Sequence, residues 1–114
     1  MAEDEDRLSA VFGALADPTR RAILGRLVLG EASVAELAQP FDLSVRAISK
    51  HIAVLERAGL LTRSRDAQRR PSKIVIASLH EAETWIGYHV QLWEKRLSNI
   101  DRVLKDAMAG RSRQ

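Results

Sequence analysis

Apolar residues recur along this chain at helical spacing, interrupted at a few well-marked points. Leu8, Val11, Phe12 and Leu15 lie three to four positions apart, predicting a first amphipathic helix from about Glu5 to Leu15. Asp17-Pro18 restarts the chain. Asp17 suits an N-cap and Pro18 the first helical position, where a missing N–H costs nothing. Ile23, Leu24, Leu27 and Val28 form the expected buried stripe of a second helix, which Gly30 stops. Ser33-Val34-Ala35-Glu36 reads as a capping box, with hydroxyl and carboxylate each satisfying a backbone N–H of the other's residue. It opens a short third helix from Val34 to about Gln39, ending near Pro40. After the tight connection Phe41-Asp42-Leu43, Ser44 caps a fourth helix running to Ala58, and Gly59 supplies its left-handed stop.

The period then changes. Two β-rich runs, Leu60 to Arg65 and Lys73 to Ala77, flank the polar tip Asp66-Ala67-Gln68-Arg69-Arg70-Pro71 and read as a hairpin. A short helix, a turn, a longer capped helix and a basic hairpin make a winged helix-turn-helix layout. From Leu79 to about Met108 the pattern is helical again. Ile86, Val90, Trp93, Leu97, Ile100 and Leu104 are spaced 4, 3, 4, 3, 4, the seam of a coiled coil. A helix of some 30 residues is about 45 Å long, more than a small domain covers by itself. The seam is either intramolecular core or the face that meets a second subunit, and the dimer is the favoured reading. Two-fold pairing is the commonest assembly and sets two recognition helices about 34 Å apart, one DNA turn.

The expected fold is therefore mainly α with a small β-hairpin: five helices plus a wing, dimerising through the terminal helices. One domain spans 1–114, with an acidic N-terminal segment at 1–6, the helix-turn-helix at 33–58, the wing at 60–77, the dimerisation helix at 79–108 and a tail at 110–114.

Composition narrows the function. Hydrophobic residues make up 46% and charged residues 29%, a globular balance. There is no cysteine, so disulfides, thiolate metal sites and cysteine nucleophiles are excluded. The acidic start is unlike a signal peptide, and no apolar run reaches the roughly 20 residues that span a bilayer, so a soluble cytoplasmic protein is expected. The net charge is +3, but its distribution matters more. Ser44 to Lys73 holds eight basic residues against Glu56 and Asp66, so that segment is +6 and the remainder −3. Concentrated basic charge suits a polyanion partner; a merely solvated face is the alternative.

Projected at about 100° per residue, the fourth helix puts Ile48, Ile52 and Leu55 on one side, with Val45 near the edge. Arg46, Lys50 and Arg57 fall opposite, flanked by Ala47 and Val54. This arrangement lets a helix enter a major groove and offer donors to guanine O6/N7 and to phosphate. Ordinary solvation is the plainer explanation for such a pair in isolation. His51 lies at the margin, as either a packing residue or a DNA contact. Ser49 is either a packing serine or a contact near the helix start. The wing adds Arg63, Arg65, Arg69 and Arg70, able to clamp phosphates or enter a narrow minor groove.

Three segments together resemble the ArsR-type bacterial repressors: Phe12 to Leu24 with its Leu15-Ala16-Asp17-Pro18-Thr19-Arg20-Arg21 core, Leu43 to Ile52, and Leu55-Glu56-Arg57-Ala58-Gly59-Leu60-Leu61. With the last helix included, the likeness covers nearly the whole chain. It implies a winged-helix homodimer that binds a palindromic operator on double-stranded DNA, usually as a repressor. Matched by position, it implies DNA reading by Ser44, Arg46, Ala47, Ser49, Lys50 and His51, with the wing arginines beside them. It also implies that Leu8 and Phe12 of the first helix join Ile86, Val90, Trp93, Leu97, Ile100 and Leu104 in the dimer core.

Many proteins of this type sense metals through a cysteine pair in the third helix or a His/Asp/Glu set on the last. Here the third helix reads Val34-Ala35-Glu36-Leu37-Ala38-Gln39. On the last, His80, Glu83 and His89 are joined by Ser78 and Leu92 rather than by carboxylates. That spacing does not make a ligand set. Trp85, Tyr88 and Trp93 resemble the metal-free branch of the family; they read as packing residues. No metal, no cofactor and no catalytic constellation is expected. The rival to DNA binding is a winged-helix protein–protein interaction module, which has no need of the +6 segment.

Overall fold

A computed structural model of the chain describes residues 2–65 and 70–112. Among these are five helices and one hairpin: α1 (Ala2–Leu15), α2 (Pro18–Leu27), α3 (Val34–Ala38), α4 (Val45–Arg57), β1 (Leu61–Arg63), β2 (Ser72–Ile74) and α5 (Ile76–Ser112). The chain falls into two units, Met1–Ala82 and Glu83–Gln114.

The helix ends are set by local chemistry. Asp17 caps α2 by accepting from the Arg20 N–H at 3.0 Å, with Pro18 in the first turn. Ser33 and Glu36 close the capping box of α3: the Glu36 N–H donates to Ser33 Oγ at 3.2 Å, and Ser33 N–H and Oγ both donate to Glu36 Oε1. Ser44 Oγ accepts from the Ala47 N–H at 3.1 Å to open α4. At the other end Gly59, at φ +77°, donates to Glu56 O while Leu60 donates to Leu55 O. This double bond pattern is a Schellman motif, and its left-handed residue is the reason for glycine there.

The core of the first unit is aliphatic. Val11 and Ala14 from α1, Ile23, Leu24 and Leu27 from α2, Leu37 and Ala38 from α3, and Ile48, Ile52 and Leu55 from α4 are buried together with Leu60, Leu61 and Ala82. β1 and β2 pair antiparallel with Leu61 opposite Ile74, Thr62 opposite Lys73 and Arg63 opposite Ser72. Ala32 adds a third edge: its N–H donates to Ser72 O at 3.1 Å, and the Ser72 N–H donates back at 2.8 Å. The wing is thus tied to the loop before α3, a link that no local pattern announces.

The observed elements depart from the sequence expectation at five places. The first helix begins at Ala2 rather than near Glu5. Val28 is 65% exposed instead of buried, because α2 ends at Leu27 and Val28 is already its C-cap. The strands are three residues each, shorter than the 60–77 wing. Ile76 and Ala77 belong to α5, although the run Ile74-Val75-Ile76 has β propensity. Context overrides that preference: in the first turn of α5, Ser78 Oγ donates to Gly59 O at 2.6 Å. Finally, α5 continues through Gly110 to Ser112 rather than ending near Met108.

In the second unit, α5 carries the heptad residues Ile86, Val90, Trp93, Leu97, Ile100 and Leu104, each 46–60% exposed. Leu8 and Phe12 are half-buried against the core of the first unit. No described helix is long and apolar enough to cross a membrane.

Replacing Ser33 with alanine removes both hydrogen bonds of its hydroxyl. Urea unfolding is expected to register a loss of about 1 kcal/mol with an unchanged m-value; an unchanged midpoint counts against the capping box.

Candidate nucleic-acid interface

Burial orients α4. Ile48, Ile52 and Leu55 are fully buried, and they hold the opposite side of the helix toward solvent. Arg46, Lys50 and Arg57 are exposed there, with Ala47 and Ser49 half-buried at the flanks. Ser44 is exposed, and its hydroxyl is occupied as the helix cap. The first two turns thus present two cations with a small residue between them, a shape that fits a major groove.

The hairpin divides its cations between two faces. Thr62 and Lys73 are directly opposite and exposed, whereas Arg63 pairs with the buried Ser72 on the inner face. Arg63 Nε and Ser72 Oγ are both buried without a hydrogen-bond partner among the described residues. Arg65 and Arg70 are exposed. Arg70 has φ +36°, the left-handed geometry of a turn. Arg69 lies outside the described residues. Lys73, which the sequence reading left out of its site residues, stands on the outer face; strict alternation from Leu61 and Ile74 is the signal that finds it.

His51 takes a position that sequence reasoning left open. It is half-buried, with Nδ1 3.4 Å from Arg20 Nη1 and 3.9 Å from Asp17 Oδ2. Arg20 is itself anchored: Nε donates to Ala14 O at 2.8 Å and Nη2 to Gly13 O at 3.2 Å. Arg21 donates to Leu15 O at 2.8 Å. The adjacent arginines therefore satisfy carbonyls that the last turn of α1 leaves without intrahelical partners, at the negative end of its dipole. The backbone N–H of Arg20 chiefly, together with the Arg20 charge and the Thr19 N–H, holds the Asp17 carboxyl below the usual aspartate range against the opposing effect of burial. Neither Asp17 nor Arg20 stood among the sequence-derived site residues. Only the shared motif pointed to them, because their meeting with His51 is long-range.

On α5, His89 Nδ1 is 2.8 Å from Trp85 O, its ring stacked on Trp85 at 4.0 Å and edge-on to Tyr88 at 5.3 Å. That geometry makes His89 a local packing group whose Nδ1–H donates to the carbonyl one turn back. Among the described residues, no three His, Asp or Glu side chains are grouped to hold a metal ion.

The capped α3–α4 pair followed by a short hairpin defines a winged helix-turn-helix protein. A family model described as a helix-turn-helix domain matches residues 15–64. The transcriptional repressor SdpR of Bacillus subtilis (strain 168) is 30% identical over 79 residues, covering 69% of this chain and 88% of that protein. The crystal structure of an ArsR family transcriptional regulator is 41% identical with a TM-score of 0.74, covering 79% of this chain and 93% of that one. The solution structure of a homodimeric winged helix-turn-helix DNA-binding domain from Mycobacterium bovis is 25% identical with a TM-score of 0.64, covering 80% of this chain and 86% of that one. This chain belongs to the ArsR-type family of winged helix-turn-helix transcriptional regulators.

The Asp17 charge predicts a pH signature. A carboxyl whose pKa is depressed on folding contributes stability above its unfolded pKa and loses it as pH falls through the folded value. Asp17→Asn is therefore expected to be less stable than the wild type at neutral pH, with the difference shrinking on acidification below the usual carboxylate range. Denaturant midpoints measured across that range check it; a constant difference contradicts the assignment.

Proposed function

We propose that this chain is a sequence-specific DNA-binding transcriptional regulator, a repressor that binds a palindromic operator as a cytoplasmic homodimer. The observation that carries this reading is the outward face of α4, where Arg46 and Lys50 stand exposed opposite a fully buried apolar stripe. In a major groove those side chains donate to guanine O6/N7 or to phosphate, and Ala47 lets the helix approach. Ser44 and Ser49 flank the same end. Arg65, Arg70 and Lys73 on the wing supply backbone contacts that set register rather than sequence. Arg63, turned to the inner face, reaches phosphate only through its outer nitrogens. The repressor SdpR and the homodimeric domain from Mycobacterium bovis support repression and pairing.

The second copy meets this one through the α5 seam. Six large apolar residues in heptad spacing, each about half exposed in a single chain, form an unusually long apolar stripe for a free surface. Leu8 and Phe12 of α1, half-buried in the first unit, are a further candidate contact with that copy. A two-fold pair presents two α4 helices to successive major-groove turns, which makes the operator palindromic.

Two outcomes test this. Operator affinity should fall steeply with salt, and Arg46→Ala or Lys50→Ala should each lower it about tenfold while circular dichroism and sedimentation stay as in the wild type. Unchanged affinity in both variants removes α4 as the reading element. Leu97→Glu should sediment as a monomer at micromolar concentration and lose operator binding with it; a stable dimer that retains binding rejects the seam.

A further inference from the structure

Two motifs 31 positions apart meet at one point of the fold, through Arg20 and His51. The Arg20 guanidinium has donors only, and two of its nitrogens are committed to the Ala14 and Gly13 carbonyls. The third faces His51 Nδ1 at 3.4 Å. A ring nitrogen facing a guanidinium acts as acceptor, so the imidazole carries its proton on Nε2. Asp17 stands 3.9 Å from the same Nδ1 and accepts from the Arg20 backbone. The end of α1, the start of α2 and the second turn of α4 are therefore joined by one polar corner.

That corner constrains what the apolar stripe alone leaves loose. Aliphatic packing fixes which side of α4 is buried, but it is not directional. A hydrogen bond at the margin of the stripe is directional, and it fixes the rotation of the helix about its own axis. Arg46 and Lys50 project from the far side, so their heads follow that rotation. Binding groups tolerate only roughly 10–20° of misorientation.

We propose that His51 is a positioning residue for DNA recognition: through Nδ1 it locks α4 to the Asp17–Arg20 corner, and it contacts neither base nor phosphate. The proposal rests on the DNA-binding reading of α4 and refines it. Two conservative variants separate the ring nitrogens. His51→Asn places an amide oxygen where Nδ1 sits, preserving the acceptor. His51→Gln places an amide nitrogen where Nε2 sits, preserving only a donor toward DNA. The probe is a duplex selected from random-sequence DNA by the wild-type full chain.

His51→Asn is expected to bind that duplex within about threefold of the wild type, and His51→Gln about tenfold more weakly. Both should keep the wild-type slope of log affinity against log salt, because no phosphate contact is lost. The reverse order, with His51→Asn the weaker binder, identifies His51 as a direct DNA contact through Nε2 and overturns the proposal. Equal loss in both variants, or wild-type binding by both, overturns it as well. Near-UV circular dichroism verifies that each variant is folded. If the wild type selects no duplex, the DNA-binding reading itself fails, an outcome distinct from any failure of the variants.

Discussion

Ile48, Ile52 and Leu55 follow each other at helical spacing and are fully buried, and the arrangement of the first unit depends on their burial. Each such side chain contributes roughly 1.5–3 kcal/mol when removed from water. Turning α4 to hide Arg46 or Lys50 would return that apolar surface to solvent and carry charge inward. The cations therefore face outward as a consequence of packing. Ser44 at one end and the Schellman turn at Gly59 at the other fix where the stripe begins and stops. The same turn delivers Leu60 and Leu61 to the core, so the wing starts at a position determined by how α4 ends.

The corner around Arg20 follows from a different requirement. The last carbonyls of α1 have no partners within the helix, and a buried or half-buried acceptor left unpaired is costly. Arg20 and Arg21 supply donors to three successive carbonyls, Gly13, Ala14 and Leu15, of which Gly13 also accepts from the Ala16 N–H. A guanidinium held in that way is a fixed point, and Asp17 and His51 arrange themselves about it. The segment from Asp17 to Arg21 is thus read physically as a helix cap that reaches across to α4.

What the sequence made legible was local or periodic. Asp17, Ser33, Ser44 and Gly59 could be read because capping chemistry acts over a few residues, and the α4 stripe because its period is unbroken. Ile76 and Ala77 misled for the same reason: a β-branched run is a local signal, and the helix that starts there outweighs it. The Ala32–Ser72 bridge left no local trace, since backbone pairing between distant segments needs no particular side chain. The inward turn of Arg63 was readable from strand alternation, but only once the register against Ser72 was known. His51 lay on the boundary of the helical projection, where periodicity assigns neither burial nor exposure, and a contact 31 residues away places it.

If α4 reads DNA and α5 pairs two copies, as proposed, the seam and the small outward face of α4 constrain each other. One α4 helix offers two outward cations in its first two turns, and each good base contact discriminates by only about 1–3 kcal/mol. That is too little to select one site among the many competing sequences of a genome. Doubling the contacts in a fixed geometry multiplies the discrimination, provided the spacing between the two copies is rigid. A heptad seam fixes the register of two paired α5 helices, because each residue seats against defined neighbours on the facing helix. Aromatic Trp93 and β-branched Val90 and Ile100 within the seam lose little conformational freedom when they are packed. In the proposed dimer, the long exposed stripe on α5 and the sparse chemistry of α4 are two halves of one solution, in which specificity comes from pairing a modest reading head with its symmetric copy.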